Sequence, residues 1–230
     1  MKLYVHEAGV GPRSALLVHG VTADHHTWHA VIDRLVPLGY RVYAVDLRGH
    51  GRSPRGAATA EEYADDLVES VPVGLDLAIG HSLGGLVLLR AVDRLRPGRA
   101  VYSDPAFCRP ITPPPGADDR MRARLDAVTE ATLRVERPQW SDAAIAAELA
   151  ALARFDRDAV SSFAHFSGGP FTPGPPVVPS LVQLADPSDL VPPESAALLA
   201  ERGFDVVTVP GTGHCIHIDD LDGFMESIRL

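Results

Sequence analysis

Short apolar runs at residues 15–19, 40–45, 75–79, 99–103, 178–185 and 204–209, each followed by a loop and a stretch of helical period, leave few folds open to this chain. Runs of that length, predominantly apolar, read as strands of a buried sheet. Repeated with helices between them, they make a largely parallel sheet covered by helices. Between the first two runs Trp28, Val31, Ile32 and Leu35 recur at helical spacing, with Asp24 or Thr22 as the N-cap and Gly39 as the stop. Thr59 stands three residues before Glu62, the spacing of a capping box, and predicts a second helix start. The segment containing Leu86, Val87, Leu88, Leu89, Ala91, Val92 and Leu95 is apolar nearly all round, as a helix at the centre of the molecule must be.

The stretch from Pro105 to Pro176 breaks the rhythm. It opens on Pro113-Pro114-Pro115, closes on Gly168-Gly169-Pro170 and Pro173-Gly174-Pro175-Pro176, and reads as helical between them. The sequence therefore predicts one core built from residues 1–104 and 177–230, with 105–176 inserted as a helical lid. One predicted lid helix carries Met121, Leu125, Val128, Thr132 and Val135 as a stripe, and a second carries Ile145, Leu149 and Leu152. Phe107, Phe155, Phe163, Phe166, Phe171 and Trp140 also fall here, more apolar bulk than short amphipathic helices need. They are expected to face the core across a pocket.

Composition narrows the partners. A length of 230 residues suits one domain with an insertion. The 30 acidic against 21 basic residues give a net charge of −9 with no basic block, which argues against nucleic acid and anionic membrane. Two cysteines, Cys108 and Cys215, are too few for a disulfide framework. No apolar run approaches the roughly 18 residues of a membrane span, and the start does not read as a secretory signal, so a cytoplasmic protein is expected.

The strongest chemical signal is Gly80-His81-Ser82-Leu83-Gly84, directly after the strand at 75–79 and directly before the buried helix. A serine on so tight a strand-to-helix turn is pushed into the cleft at a helix N-terminus. The glycines two residues either side avoid collision with neighbouring backbone. His19-Gly20-Val21 follows the first buried strand, and Gly20 lets the chain turn so that the Val21 N–H can join the Leu83 N–H as an oxyanion hole. Gly211-Thr212-Gly213-His214 follows the last strand, where His214 can serve the serine as general base, with His217 as the runner-up. An acid between serine and histidine is required to orient the imidazole, and Asp186, Asp189 and Asp104 are the candidates. His25 and His29, four apart, present a possible metal pair without an evident third ligand, and a plain helix-end surface is the better reading. Cys215 is a poor thiol nucleophile beside His214, since adjacent side chains on one loop rarely meet in line.

On these motifs, and on Asp46-Leu47-Arg48-Gly49-His50-Gly51-Arg52-Ser53 after the second strand, the chain resembles the α/β-hydrolase fold family from about Ala15 onward. Asp46, Arg48 and His50 are expected to hydrogen-bond within that loop and brace the cleft. The resemblance implies a serine hydrolase working through an acyl-enzyme, with no organic cofactor and no metal. Serine at 82 sets the chain apart from the family's haloalkane dehalogenases and epoxide hydrolases, which carry a carboxylate there. The family pattern of a serine before the acid, then a small apolar pair and a proline, fits Ser188-Asp189-Leu190-Val191-Pro192. Asp186, held before Pro187 at the strand edge, fits it less well. Asp189 is therefore the expected acid. Ala185 departs from the glycine many members carry, and the chain before Ala15 is short for the family's opening strands. The expected reaction is hydrolysis of a carboxylic ester, lactone or thioester of a largely apolar small molecule. The alternatives are carbon–carbon bond hydrolysis or a lyase reaction by the same residues, or a silent small-ligand binding protein of the same fold.

Overall fold

The fold is described from a computed structural model of the chain, for residues 1–107, 116–161 and 173–230. Seven strands form one sheet: β1 (Tyr4–Ala8), β2 (Arg13–Val18), β3 (Tyr40–Asp46), β4 (Leu77–His81), β5 (Arg99–Ser103), β6 (Ser180–Leu184) and β7 (Asp205–Thr208). They lie in the order β1-β3-β2-β4-β5-β6-β7. β1 pairs antiparallel with β3, and every other pairing is parallel. The helices are α1 (His29–Leu35), α2 (Ala60–Ser70), α3 (Leu83–Leu95), α4 (Ala117–Asp126), α5 (Glu130–Glu136), α6 (Asp142–Arg154), α7 (Pro193–Glu201), α8 (Ile216–Asp219) and α9 (Leu221–Ile228).

Side-chain alternation along each strand divides the core in two. From β2, Leu16 and Val18 join Ala78, Tyr102 and Val182 against Tyr63 and Leu67 of α2, Val87, Leu88 and Leu95 of α3 and Leu199 of α7. Ala15 and Leu17 face the other way with Val42, Ile79 and Val101, against Trp28, Val31 and Leu35 and against Phe224 and Ile228 of α9. Both faces of the central strands are thus dry, as their predominantly apolar sequence requires. α3 lies behind the middle of the sheet with nine buried residues.

Capping residues set the local boundaries. Asp24 accepts from the His26 N–H and opens a 3-10 turn at His25–Trp28 that leads into α1. Gly39, at φ +85°, ends that connection. Thr59 and Glu62 form the expected capping box. The predicted stripe from Met121 to Val135 is not one helix. Thr129 accepts from the Thr132 N–H and begins a new helix, so α4 carries Met121 and Leu125 into one small cluster while α5 puts Leu133 into another. Val135 is exposed. Of the aromatic residues expected across a pocket, Phe107 packs edge-on to Tyr102 in the main core, and Phe155 lies with its ring centroid 4.8 Å from that of His50. Phe163, Phe166, Phe171, Cys108 and the Pro113–Pro115 and Gly168–Pro170 segments lie outside the described residues. β1 is an added finding: its half-buried, mixed sequence Tyr-Val-His-Glu-Ala suits an edge strand and carries no apolar run. No helix among the described residues is long and apolar enough to cross a membrane.

Candidate active site

Because β2 to β7 run parallel, the loops that follow their C-terminal ends gather along one edge of the sheet, where open parallel sheets place their ligands. Ser82 sits between β4 and α3 at φ 51°, ψ −114°, a left-handed backbone that a side-chain-bearing residue adopts only under constraint. The constraint is steric. A Cβ on Gly80 would lie 2.4 Å from the Gly84 carbonyl oxygen, and one on Gly84 would lie 2.2 Å from that of Val18. Only glycine at both positions lets strand, serine and helix meet this closely.

Gly20 brings the end of β2 against the same serine: a Cβ there would stand 3.2 Å from Ser82 Cβ and 2.8 Å from His81 Nδ1. Among the described residues, the backbone N–H groups of Val21 and Leu83 donate to no protein acceptor. Two unused donors beside one hydroxyl suit an incoming oxyanion.

The residue facing the His214 ring is Asp104. Its Oδ2 lies 2.6 Å from His214 Nδ1, while its Oδ1 accepts the Ser188 hydroxyl at 2.6 Å and the Ala185 N–H at 3.3 Å. Asp104 is buried and follows β5 directly, its N–H donating to the Gln183 carbonyl of β6. The expected acid Asp189 is exposed and makes no hydrogen bond among the described residues, and Asp186 accepts only the Gly211 N–H, at 3.3 Å. The structure therefore brings Asp104, not Asp189, to the histidine. The physical reason lies in β5 and β6 being neighbours: the loop after β6 spends its length turning Ser188 back onto Asp104. Ser188 Oγ also accepts the Leu190 and Val191 N–H groups, which fixes that turn.

With Nδ1–H donated to a carboxylate, Nε2 of His214 is left with its lone pair, as a general base needs. Its ring lies beside the elbow, 4.6 Å centroid to centroid from His81. Ser82 Oγ and His214 Nε2 close no hydrogen bond among the described residues, and such bonds commonly tighten only around substrate. His81, which the sequence reading passed over, donates from Nε2 to the His214 carbonyl at 2.9 Å and so ties the elbow to the histidine loop. Burial, then the neighbouring His214 and His217, pushes its pKa well below the usual imidazole range. It therefore adds no charge that competes with an imidazolium at His214. Its position inside the serine motif was the available signal.

His217 is buried, pairs with Thr27 Oγ1 at 3.1 Å, and is held by burial at a pKa of about 3. Among the described residues it makes no hydrogen bond or ion pair with an acid. Burial, then Glu148, raises the Cys215 thiol, which leaves it protonated. Asp46 braces the cleft from below: Oδ1 accepts the His25 N–H and faces His25 Nδ1 at 2.8 Å, and Oδ2 accepts the Arg52 N–H. Burial opposes its ionisation, but those bonds outweigh it and hold its pKa at about 2. His50 Nδ1 lies 2.8 Å from the Arg48 carbonyl, and Arg48 pairs with Asp66. His25 and His29 do not share a ligand position: His29 is turned to the His26 carbonyl. Asp24, His25 and His26 bring ligand atoms within 4.8 Å of one another, but Asp24 is engaged by Arg154 and His25 by Asp46.

These buried neutral imidazoles give a pH signature. His50 and His217 both have folded-state pKa values of about 3, lowered chiefly by burial, so below about 6.5 the unfolded chain binds protons that the folded chain refuses. Each group then lowers stability by about 1.4 kcal/mol per pH unit. Going from about pH 7 to about pH 5, unfolding free energy from urea titration is expected to drop by about 4 kcal/mol for the pair. Asp46 acts in a separate window, since its contribution is kept until the pH falls from about 4 toward 2. Equal stability at the two higher pH values would contradict the buried, neutral assignment.

A sequence profile of the Alpha/beta hydrolase family matches residues 15–226, and the chain belongs to that family. The pimeloyl-[acyl-carrier protein] methyl ester esterase of Sodalis glossinidius is 36% identical over 113 residues, 47% of this chain and 43% of the esterase. The match thus spans less than half the length of that relative. N-formylmaleamate deformylase of Pseudomonas putida is 29% identical over 246 residues, 97% of this chain and 90% of the deformylase. Among solved structures, a marine microorganism esterase superposes with a TM-score of 0.77 at 21% identity, covering 99% of this chain and 98% of its own. A deformylase of N-formylmaleamic acid from Pseudomonas putida does so with 0.76 at 25%, covering 99% and 96%.

Proposed function

We propose that the protein is a serine hydrolase that cleaves a carboxylic ester, thioester or lactone of a largely apolar small molecule, with Ser82, His214 and Asp104 as its triad. The observation that carries the reading is the 2.6 Å contact of Asp104 with His214 Nδ1, on a histidine loop tied through His81 to the strained Ser82 turn. In this mechanism His214 Nε2 takes the Ser82 proton as Oγ adds to the carbonyl carbon, and the oxyanion forms against the Val21 and Leu83 N–H groups. The imidazolium, stabilised by Asp104, returns its proton to the leaving group as the carbon–oxygen or carbon–sulfur bond breaks. Water, deprotonated by the same histidine, then releases the acid and restores the serine.

The insertion is proposed to act as a lid over this edge. Two small apolar clusters support that role, one containing Leu125, Leu152 and Phe155 with Val21 against it, the other Leu133, Trp140 and Ile145 with Cys215 and Ile218 against it. They pack apolar groups against Val21 of the oxyanion loop and Cys215 of the histidine loop, which favours a neutral acyl or alcohol portion. The deformylase relative, similar along nearly the whole chain, favours a second reading in which the bond cleaved is an N-acyl amide carrying a carboxylate. A panel of esters and N-formyl amides matched in size, with and without a carboxylate, separates the two. The first reading expects kcat/KM at least about tenfold higher for neutral esters than for their carboxylated analogues. Preference for the acidic amides would replace it with the second.

A further inference from the structure

Asp219, at the end of α8, is not one of the residues proposed to do the chemistry, yet its carboxylate joins two separate parts of the molecule. Oδ2 accepts the Gly213 N–H at 2.7 Å, directly before His214 in the chain. Oδ1 accepts the Trp140 Nε1–H at 2.7 Å and the Gln139 Nε2–H at 2.8 Å, both from the turn between α5 and α6 of the insertion. The approach is close on both sides of the glycine. A Cβ at Gly213 would lie 3.0 Å from Arg137 Nη1 and 3.1 Å from Asp219 Oδ2, so the turn at 137–140 and Asp219 together enclose the histidine loop.

Asp219 is itself held in place. Its N–H donates to the Cys215 carbonyl at 2.9 Å, and the neighbouring Asp220 caps α9 through the Gly223 N–H. Trp140 is buried among Leu133, Ala144 and Ile145, with Cys215 and Ile218 packed against that cluster. The indole cannot leave Asp219 without unpacking this contact. A carboxylate is also the one side-chain end that offers acceptors on both oxygens to three N–H donors. An amide of the same shape must turn its own NH2 toward at least one of them and lose that bond.

We infer that Asp219 is a positioning residue which makes the seating of the insertion and the alignment of His214 a single event. An insertion seated through Trp140 and Gln139 fixes the carboxylate, and the fixed carboxylate holds Gly213 and with it the backbone from which the His214 ring reaches toward Ser82. The catalytic consequence rests on the serine hydrolase reading, whereas the mechanical coupling does not.

The test compares the full-length protein with Asp219→Asn and Trp140→Phe, by amide hydrogen exchange of the loop at 211–214 and by kinetics on para-nitrophenyl acetate. Asp219→Asn is expected to speed exchange of that loop about tenfold or more and to lower kcat about ten- to a hundredfold, with KM within about twofold. Trp140→Phe keeps the apolar packing, changes no residue that hydrogen-bonds Gly213 or His214 among the described residues, and is expected to speed exchange of the same loop by about threefold, with kcat lower in the same direction. Loop exchange unchanged in Trp140→Phe, or kcat within about twofold of the parent in Asp219→Asn, would overturn the inference. If Asp219→Asn does not fold, Trp140→Phe still decides it. Turnover absent from the parent while the exchange effects appear would instead count against the hydrolase reading and leave the coupling standing.

Discussion

Replacing Ser82 by alanine is expected to lower turnover of an activated ester by about three orders of magnitude or more, with the melting transition kept. Alanine keeps the Cβ and the backbone of the turn, and Ser82 Oγ makes no hydrogen bond among the described residues whose loss would weaken the fold. What disappears is the atom that forms the acyl-enzyme. The oxyanion donors and the binding contacts remain, so the residual rate should be above that in water. Turnover by purified Ser82→Ala close to that of the parent would remove the serine mechanism altogether.

Asp104→Asn is expected to cost roughly three to four orders of magnitude in kcat, and Asp189→Asn to stay within about threefold of the parent. The amide fills the same space but has a single acceptor oxygen, and with that oxygen kept on the Ser188 hydroxyl and the Ala185 N–H its NH2 faces His214 Nδ1. Turned that way it favours the tautomer with the proton on Nε2, which cannot accept the serine proton. Asp189 is exposed and, among the described residues, makes no hydrogen bond to the site. Measured on folded variants with one ester, the reverse ranking would return the acid to the loop after β6. Asp186→Asn provides the control from that same loop.

The parallel sheet was legible because its central strands are buried on both faces and so are written as predominantly apolar runs. The edge strand β1 was not, since its partly buried sequence Tyr-Val-His-Glu-Ala contains no such run. The steric reason for Gly80 and Gly84 could be read from the motif, and the clash distances bear it out. The carboxylate that faces His214 was hidden for a different cause. A sequence pattern places Asp189 in register with its neighbours along the chain, but which carboxylate meets His214 depends on how the ends of β5 and β6 lie side by side. Asp104 carried one signal, its place at the end of the strand next to the serine strand, and Ser188 carried none until the loop was seen to fold back. His81 and Asp219 were equally hidden, for their partners are 133 residues away at His214 and 79 residues away at Trp140. The Thr129 cap shows the same limit at short range: the apolar stripe at 121–135 continues through a helix boundary that a single hydroxyl decides.

The most direct measurement is intact-protein and peptide mass spectrometry after reaction with a fluorophosphonate, run on the parent, Ser82→Ala and Asp104→Asn. The account predicts one phosphonyl adduct per chain, located on Ser82, absent from Ser82→Ala, and formed much more slowly in Asp104→Asn. No adduct on the parent, or an adduct on another residue that persists in Ser82→Ala, would contradict it.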